Sequence, residues 1–122
     1  MTRRYAGEGS INGVPVRVEA RASAVHATVS VVAEGNAFPD PKELYPESDG
    51  LWYEPLLADE NDLPMNLEEF EVHADGAAAS FTGNGRLPDR LRLFIGLAGE
   101  GDWWNENMEK PAPILLTPVE VG

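Results

Sequence analysis

One stretch of strict alternation restricts the fold of this chain more than any other feature. In residues 14–22, VPVRVEARA, every second residue is Val or Ala, and the residues between are Pro, Arg and Glu. Successive side chains of a strand point to opposite faces, so this pattern predicts a strand with one buried face. Asn12-Gly13 stands directly before it, and that dipeptide is a strong signal for a two-residue hairpin. We therefore predict that residues 4–11 pair antiparallel with residues 14–22.

The same period of two continues along the chain and decides the fold class. It recurs in residues 24–34, 66–74, 77–83, 90–97 and 114–121. Asp75-Gly76 marks a second hairpin, and no segment has helical periodicity over more than about two turns. About seven or eight short strands, with at most short helical turns, predict an all-β fold. We expect a single antiparallel β-sandwich, immunoglobulin-like or related, with two long loops.

Three details of these strands are specific enough to check. In residues 66–74 we expect Phe70, Val72 and Ala74 to face inward. Pro55 and Pro118 each fall in a candidate strand. Because proline cannot donate to a ladder, we place both prolines at sheet edges or bulges.

The length of 122 residues predicts one domain spanning residues 1–122. Within it, residues 35–66 are acidic and contain five prolines, and their only candidate strand is the short stretch LWYEPLL. We expect this segment to form a long crossing between the two sheets. The second long loop is predicted for residues 99–113, GEGDWWNENMEKPAP.

Charge is concentrated in one part of the chain. The net charge is −12, and residues 34–75 carry thirteen acidic residues against one Lys. Such a surface disfavours nucleic acid and anionic membranes as partners and favours basic proteins or cations. Cysteine is absent, which excludes disulfides, thiolate catalysis and cysteine-ligated metal sites. The start of the chain lacks the apolar run of a signal peptide, and no segment is long enough to span a membrane, so we expect cytoplasmic localisation.

Two acidic clusters are candidate calcium ligands, because calcium takes carboxylate and carbonyl oxygens from flexible loops. The candidates are Asp40, Glu47, Asp49, Asp59 and Asp62. Neither cluster has the spacing of an EF-hand, and solvated loop acids are the simpler interpretation. Calcium is the only cofactor that the residues suggest.

No catalytic motif is present in the sequence. His26 and His73 lie in separate candidate strands, and neither has the spacing of a metal or catalytic motif. The glycine-rich stretches do not stand between a strand and a helix, as a phosphate-binding loop requires. An enzyme with a cleft between the two long loops is therefore the third of three hypotheses.

Paired aromatic residues are the strongest candidates for binding. Trp52-Tyr53 lies in the acidic segment, and Trp103-Trp104, followed by Asn105, lies in the second long loop. One ring of each pair can anchor its segment while its neighbour faces outward. Exposed rings among acidic and amide side chains suit a protein partner or a sugar, although rings that cap the ends of the sandwich would show the same pattern.

These observations favour a non-enzymatic binding module that recognises a basic protein partner through acidic and aromatic loops. The alternative is a carbohydrate-binding module, or a lectin-like module assisted by calcium. We expect neither nucleic acid nor membrane as a partner, and the sequence does not predict an oligomeric state.

Overall fold

The structure, a computed structural model, describes residues 1–11, 13–34, 46, 50–73, 75–98 and 113–119. Eight strands form within these ranges and no helix does, so the all-β prediction is confirmed for this part of the chain. They are β1 (Arg3–Ile11), β2 (Val14–Ala22), β3 (His26–Ala33), β4 (Trp52–Asp59), β5 (Pro64–His73), β6 (Gly76–Thr82), β7 (Leu91–Ala98) and β8 (Ile114–Pro118). The described ranges contain no helix long and apolar enough to cross a membrane.

The strands form one closed barrel instead of the two-layer sandwich that we expected. Each runs antiparallel to its neighbours in the order β1-β2-β3-β6-β5-β4-β7-β8. Closure depends on β8, which pairs with β7 on one side and with β1 on the other. Strands alternate between a buried and a solvated face in both architectures, so alternation alone does not distinguish them.

The first hairpin forms as predicted. Ile11 pairs with Val14 across the turn, and the ladder continues until Arg3 pairs with Ala22. Gly13 has a φ of 82°, the left-handed conformation that a two-residue hairpin turn uses. β3 then pairs with β2, which completes the predicted three-strand meander.

The alternating residues of β2 show how the barrel fills its interior. Its Val and Ala residues are buried, while its Pro, Arg and Glu residues are exposed. The same alternation continues in β3, β6 and β7, and together these faces form one apolar core. The largest fully buried apolar side chains include Tyr5, Leu57, Phe81, Leu91, Leu93 and Leu116.

β4 and β5 meet over only a small part of their length. The two strands pair at Leu57 with Met65 and at Ala58 with Pro64. On its other side β4 pairs with β7 over its whole length. Pro55 lies in the part of β4 without a β5 partner, which agrees with the predicted edge position because its ring nitrogen has no hydrogen to donate.

A β-bulge in β5 lies just beyond the residues that pair with β4. The register of β5 against β6 slips by one residue between Leu67 and Glu69. A bulge bends its strand and increases the local twist, and beyond the paired residues β5 and β4 form no ladder. We call this gap the β4–β5 seam and define it by residues 52–56 of β4 and residues 66–73 of β5.

The bulge also changes which residues of β5 face the core. Before it, Met65 is inward and buried. After it, Phe70 and Val72 face inward, as predicted, because they stand opposite the buried residues Ala79 and Ala77. Ala74 lies outside the described residues.

Pro118, like Pro55, lies where its strand is paired on one side only. β8 as a whole has neighbours on both sides. Pro118 is its last residue and pairs only with Tyr5 of β1. Its missing N–H therefore falls where the ladder with β7 has already ended.

Gly7 provides a test of barrel closure. A Cβ at this position would overlap the backbone carbonyl of Leu115 in β8. Because backbone cannot move aside as a flexible side chain can, we expect Gly7→Ala to lower the free energy of unfolding by about 1–3 kcal/mol. Gly9→Ala is the control, since its Cβ would meet only the Ile114 side chain. Denaturant unfolding of both variants measures the loss of unfolding free energy. Equal losses in the two variants would contradict the close approach of the β8 backbone to Gly7.

Candidate functional site

The aromatic pair at the start of β4 places its two rings on opposite sides of the sheet. Trp52 is 46% exposed on the outer surface. Tyr53 is partly buried and packs against the core. This is the division that alternation along a strand predicts for adjacent residues. Trp52 is therefore the member of the pair that a partner can reach.

Both long connections leave the barrel at the end where Trp52 lies. β4 begins at Trp52, which pairs with Ala98, the last residue of β7. The connection from β3 therefore arrives beside the point where the connection to β8 departs. Trp103, Trp104 and Asn105 belong to the latter connection and lie outside the described residues. A site that these three residues share with Trp52 remains a prediction.

The candidate metal ligands divide into two groups. Asp40, Glu47 and Asp49 lie outside the described residues. Asp59 is the last residue of β4, and Asp62 lies in the turn between β4 and β5, where it forms an ion pair with Arg92 at 2.8 Å. In the described ranges, no group of three or more Asp, Glu or His side chains could hold a metal ion. Calcium binding remains a prediction.

Among the described residues, Asp59 is the one charged residue whose side chain is buried. Its carboxylate is fully hydrogen-bonded. Oδ1 accepts hydrogen bonds from the amides of Asn61 at 2.8 Å and Leu63 at 3.0 Å. Oδ2 accepts one from Nδ2 of Asn84 at 3.0 Å, and the Arg86 guanidinium lies 3.6 Å away. These contacts, which we call the Asp59 network, link the β4–β5 turn to the segment between β6 and β7.

Neighbouring contacts fasten the same segment to β1 and β4. Glu60 accepts a hydrogen bond from the Asp89 amide at 3.0 Å and also pairs with Arg86. The hydroxyl of Tyr5 donates to the carbonyl of Pro88. Polar groups thus fix the end of the barrel opposite to Trp52, and the Asp59 carboxylate holds the adjoining loop in place.

Two opposing effects set the pKa of Asp59. Burial acts to raise the pKa, because a charged group loses hydration inside the protein. The amide donors of Leu63 and Asn61, together with Asn84 and Arg86, stabilise the charged form and outweigh burial. The net effect lowers the pKa of Asp59 below its ordinary value of 3.8. Asp59 is therefore ionised near neutral pH.

The β4–β5 seam exposes side chains that point toward the core. Leu67 is 42% exposed, although it pairs with Phe81, and Phe81 pairs with Ala27, both fully buried. Val72 is 43% exposed beside Ala77, which is buried. The β6 residues that pair with Leu67 and Val72 are thus both buried. The exposure of Leu67 and Val72 coincides with the part of β5 that forms no ladder with β4.

An open groove of about 410 Å³ lies on the outer face of the sheet. Its floor consists of small residues of β3 and β6, including Thr28, Ser30 and Ser80. Arginines of β1 and β2 stand on one side, and Glu69 and Glu71 of β5 stand on the other. The β5 side of this groove is thus continuous with the acidic surface beside the seam.

The two histidines do not form a catalytic arrangement within the described ranges. His26 is exposed, with Nε2 3.6 Å from a carboxylate oxygen of Glu68. His73 is also exposed, with Nε2 3.5 Å from Glu71. Neither side chain lines the outer groove. Both contacts are surface pairs of the kind that contribute little to stability.

Sequence reasoning missed the Asp59 network and the seam. The network joins residues that are far apart in the chain, so no local sequence motif predicts it. The seam did leave a signal, because the adjacent Glu68 and Glu69 interrupt the alternation between Leu67 and Phe70. An interruption of this kind, together with Pro55, is typical of a strand that departs from its neighbour.

The lowered pKa of Asp59 predicts a pH dependence of stability. The unfolded chain binds a proton at Asp59 near the ordinary value of 3.8, whereas the folded chain does so only at lower pH. The unfolded state then holds more protons, so the free energy of unfolding decreases as pH falls through this range. We expect Asp59→Asn to show a shallower decrease below about pH 4 and a loss of about 1–3 kcal/mol at neutral pH.

Asp62→Asn is the matched control, since it lies in the same turn with an exposed carboxylate. Its loss at neutral pH should stay within about 1 kcal/mol, as for an exposed ion pair. Denaturant unfolding at a series of pH values measures both variants. Parallel pH profiles for wild type and Asp59→Asn would contradict the assigned role of the buried carboxylate.

The seam and the outer groove thus meet at Glu69 and Glu71 and both face solvent, whereas the Asp59 network lies apart from them with a buried carboxylate at its centre. Searches against protein-family models, curated proteins and solved structures found no match for this chain. The ligands that suit each surface therefore follow from the chemistry of its own residues.

Proposed function

We propose that this protein is a non-enzymatic binding module that recognises a basic protein partner through the outer surface of β4 and β5. The observation that carries the proposal is the separation of charge around the barrel. Residues 52–73 contain no Lys or Arg, while β1 and β2 contain four Arg. In the strand order, β1-β2 and β5-β4 occupy opposite sides of the closed sheet. One side of the barrel is therefore acidic and the other is basic.

The acidic side has carboxylates available for a partner. Glu54 and Glu69 are exposed and form no ion pair with another described residue. Glu71 is exposed, and its one ion-pair partner among the described residues is His73. Complementary charge accelerates encounter and excludes partners of the wrong sign, so these groups favour a basic surface.

Apolar side chains lie among these carboxylates. On the outer face of β4, Trp52 and Leu56 flank Glu54, and they are 46% and 48% exposed. A tryptophan within a charged rim is the usual composition of a binding hot spot, where the ring supplies buried area and the rim supplies specificity. Trp103 and Trp104 belong to a connection that leaves the barrel beside Trp52, which favours their inclusion in the same surface.

A module with this surface acts by covering a basic region of another protein. An inhibitor that masks a basic enzyme and an adaptor that holds a basic protein in an assembly use the same chemistry. Long-range attraction brings the partners together, and the tryptophan then provides short-range apolar contact. Neither role needs a catalytic group on this chain.

Salt-dependent capture tests the proposal. The immobilised protein is exposed to a lysate of its native host, and the captured proteins are identified, purified and titrated individually. We expect basic partners whose affinity falls by roughly tenfold or more as ionic strength rises from about 0.01 M to about 0.1 M, because the screening length shrinks from about 30 Å to about 10 Å.

Two matched double variants locate the surface. Glu69→Gln with Glu71→Gln removes two carboxylates beside the seam. Glu8→Gln with Glu34→Gln removes two exposed carboxylates beside Arg17 of β2, and neither of these lines the outer groove. We expect the first pair to weaken binding several-fold and the second to leave it nearly unchanged. Trp52→Ala should cost about 2 kcal/mol or more of binding free energy.

Three results would contradict the proposal. They are capture that does not respond to salt, equal effects of the two double variants, and failure to bind any basic protein. Titration with a panel of glycans, followed by tryptophan fluorescence, tests the carbohydrate alternative on the same samples. A glycan response that Trp52→Ala abolishes would replace the protein partner with a sugar.

A further inference from the structure

The edge of β5 that faces the seam has unused backbone hydrogen-bonding capacity. β5 pairs with β6 through residues 66–73, but it meets β4 only at Pro64 and Met65. No described residue forms a ladder with residues 66–73 on the side away from β6. A row of unpaired amides and carbonyls on an edge strand is a template for another extended chain.

The part of this edge beyond the bulge is the most suitable for pairing. The register is regular from Glu69 to His73, whereas the bulge interrupts it before Glu69. Within these five residues, Phe70 and Val72 turn toward the core and Glu69 and Glu71 turn outward. The edge therefore offers apolar and acidic contacts in strict alternation.

A strand added at the seam would cover apolar surface that the barrel leaves exposed. Val72 faces the core and is still 43% exposed. Burial of apolar surface contributes roughly 25 cal/mol for each Å², so covering this side chain favours association. Residues directly opposite each other on neighbouring strands point to the same face of the sheet. An apolar residue of the ligand would therefore lie beside Val72 or Phe70.

The outward residues select the charge of the ligand. A neighbouring strand would place its outward side chains next to Glu69 and Glu71, where opposite charges stabilise the pair and like charges destabilise it. The same rule disfavours a second copy of this chain at this edge. Two copies joined through residues 69–73 would bring the glutamates of both together.

We infer that the β4–β5 seam binds an extended segment that alternates apolar residues with Lys or Arg, added as a strand along residues 69–73 of β5. The inference rests on the proposed function, since it assigns a mode of binding to the same acidic surface. Backbone hydrogen bonds supply affinity, the apolar residues cover Phe70 and Val72, and the basic residues meet Glu69 and Glu71.

A defined peptide tests this mode directly. The probe is a capped peptide of alternating Val and Lys, about seven residues long, which is within the usual length of a strand. We expect it to bind the full-length protein and to increase hydrogen-exchange protection of the seam-facing backbone amides of residues 69–73, which are every second amide, because the others already face β6. Binding without new protection at these residues would overturn strand addition.

N-methylation separates a backbone ladder from simple attraction of charge. Successive amides of a strand point to opposite sides, so all Val amides face one edge of the peptide and all Lys amides face the other. One peptide is methylated at every Val nitrogen and another at every Lys nitrogen. We expect one of them to lose at least about tenfold in affinity while the other retains binding. Similar affinities for the two would overturn the inference.

Charge reversal with exchanged ligands controls for damage to the fold. Glu69→Lys with Glu71→Lys should weaken the Val-Lys peptide at least about tenfold and should bind a peptide of alternating Val and Glu instead. Glu8→Lys with Glu34→Lys makes the same change of charge beside Arg17 of β2, outside the outer groove, and should retain the preference of the wild type. Loss of both peptides by the seam variant, with its unfolding transition intact, would count against the inference.

The two proposals fail in different ways. Salt-dependent capture of a basic protein without protection of residues 69–73 leaves the proposed function standing and overturns strand addition. Protection by the Val-Lys peptide, with no basic protein bound, supports strand addition at the seam and overturns the broader recognition of folded basic surfaces.

Discussion

Backbone hydrogen bonding between β4 and β5 stops after two residue pairs, and much of this barrel depends on where it stops. Pro55 removes a donor from β4, and a bulge interrupts the register of β5 after Leu67. The gap leaves core-facing side chains in contact with solvent, whereas their neighbours on β6 are covered. Edge strands are commonly protected by prolines, bulges and charged residues, and here all three occur on the two strands of one seam.

The two ends of the barrel differ in how they are held. At the end opposite Trp52, the buried Asp59 binds the β4–β5 turn to the segment that follows β6, and Tyr5 fastens that segment to β1. A buried carboxylate with several donors resists opening, because breaking one contact leaves a charge without hydration. The strands are therefore anchored where they pair and diverge toward the end that receives both long connections.

Local patterns predicted the strands well, because each strand buries one face and its alternate residues are therefore apolar. The β2 alternation and Asn12-Gly13 were sufficient to predict the first hairpin, its register and the meander with β3. They could not predict closure, which depends on β8 finding both β7 and β1. The same limit applies to Asp59, whose partners Asn84 and Arg86 are brought near only by the completed barrel.

The sequence allowed Trp52 and Tyr53 either to divide between surface and core or to cap the fold together; Trp52 is exposed and Tyr53 packs against the core. The exposed positions of Leu67 and Val72 were not expected, since alternation reports which way a side chain points and says nothing about whether a neighbouring strand covers it. Only the Glu68-Glu69 doublet hinted at the irregularity.

Arginines on β1 and β2 and glutamates on β4 and β5 stand on opposite sides of the closed sheet. This arrangement gives the barrel a permanent electric dipole across its short axis. A basic molecule that approaches within a screening length of about 8–10 Å exerts a torque on the barrel as well as a pull. Under the proposed function, this torque turns the seam toward the partner before contact, so fewer collisions occur on the arginine side.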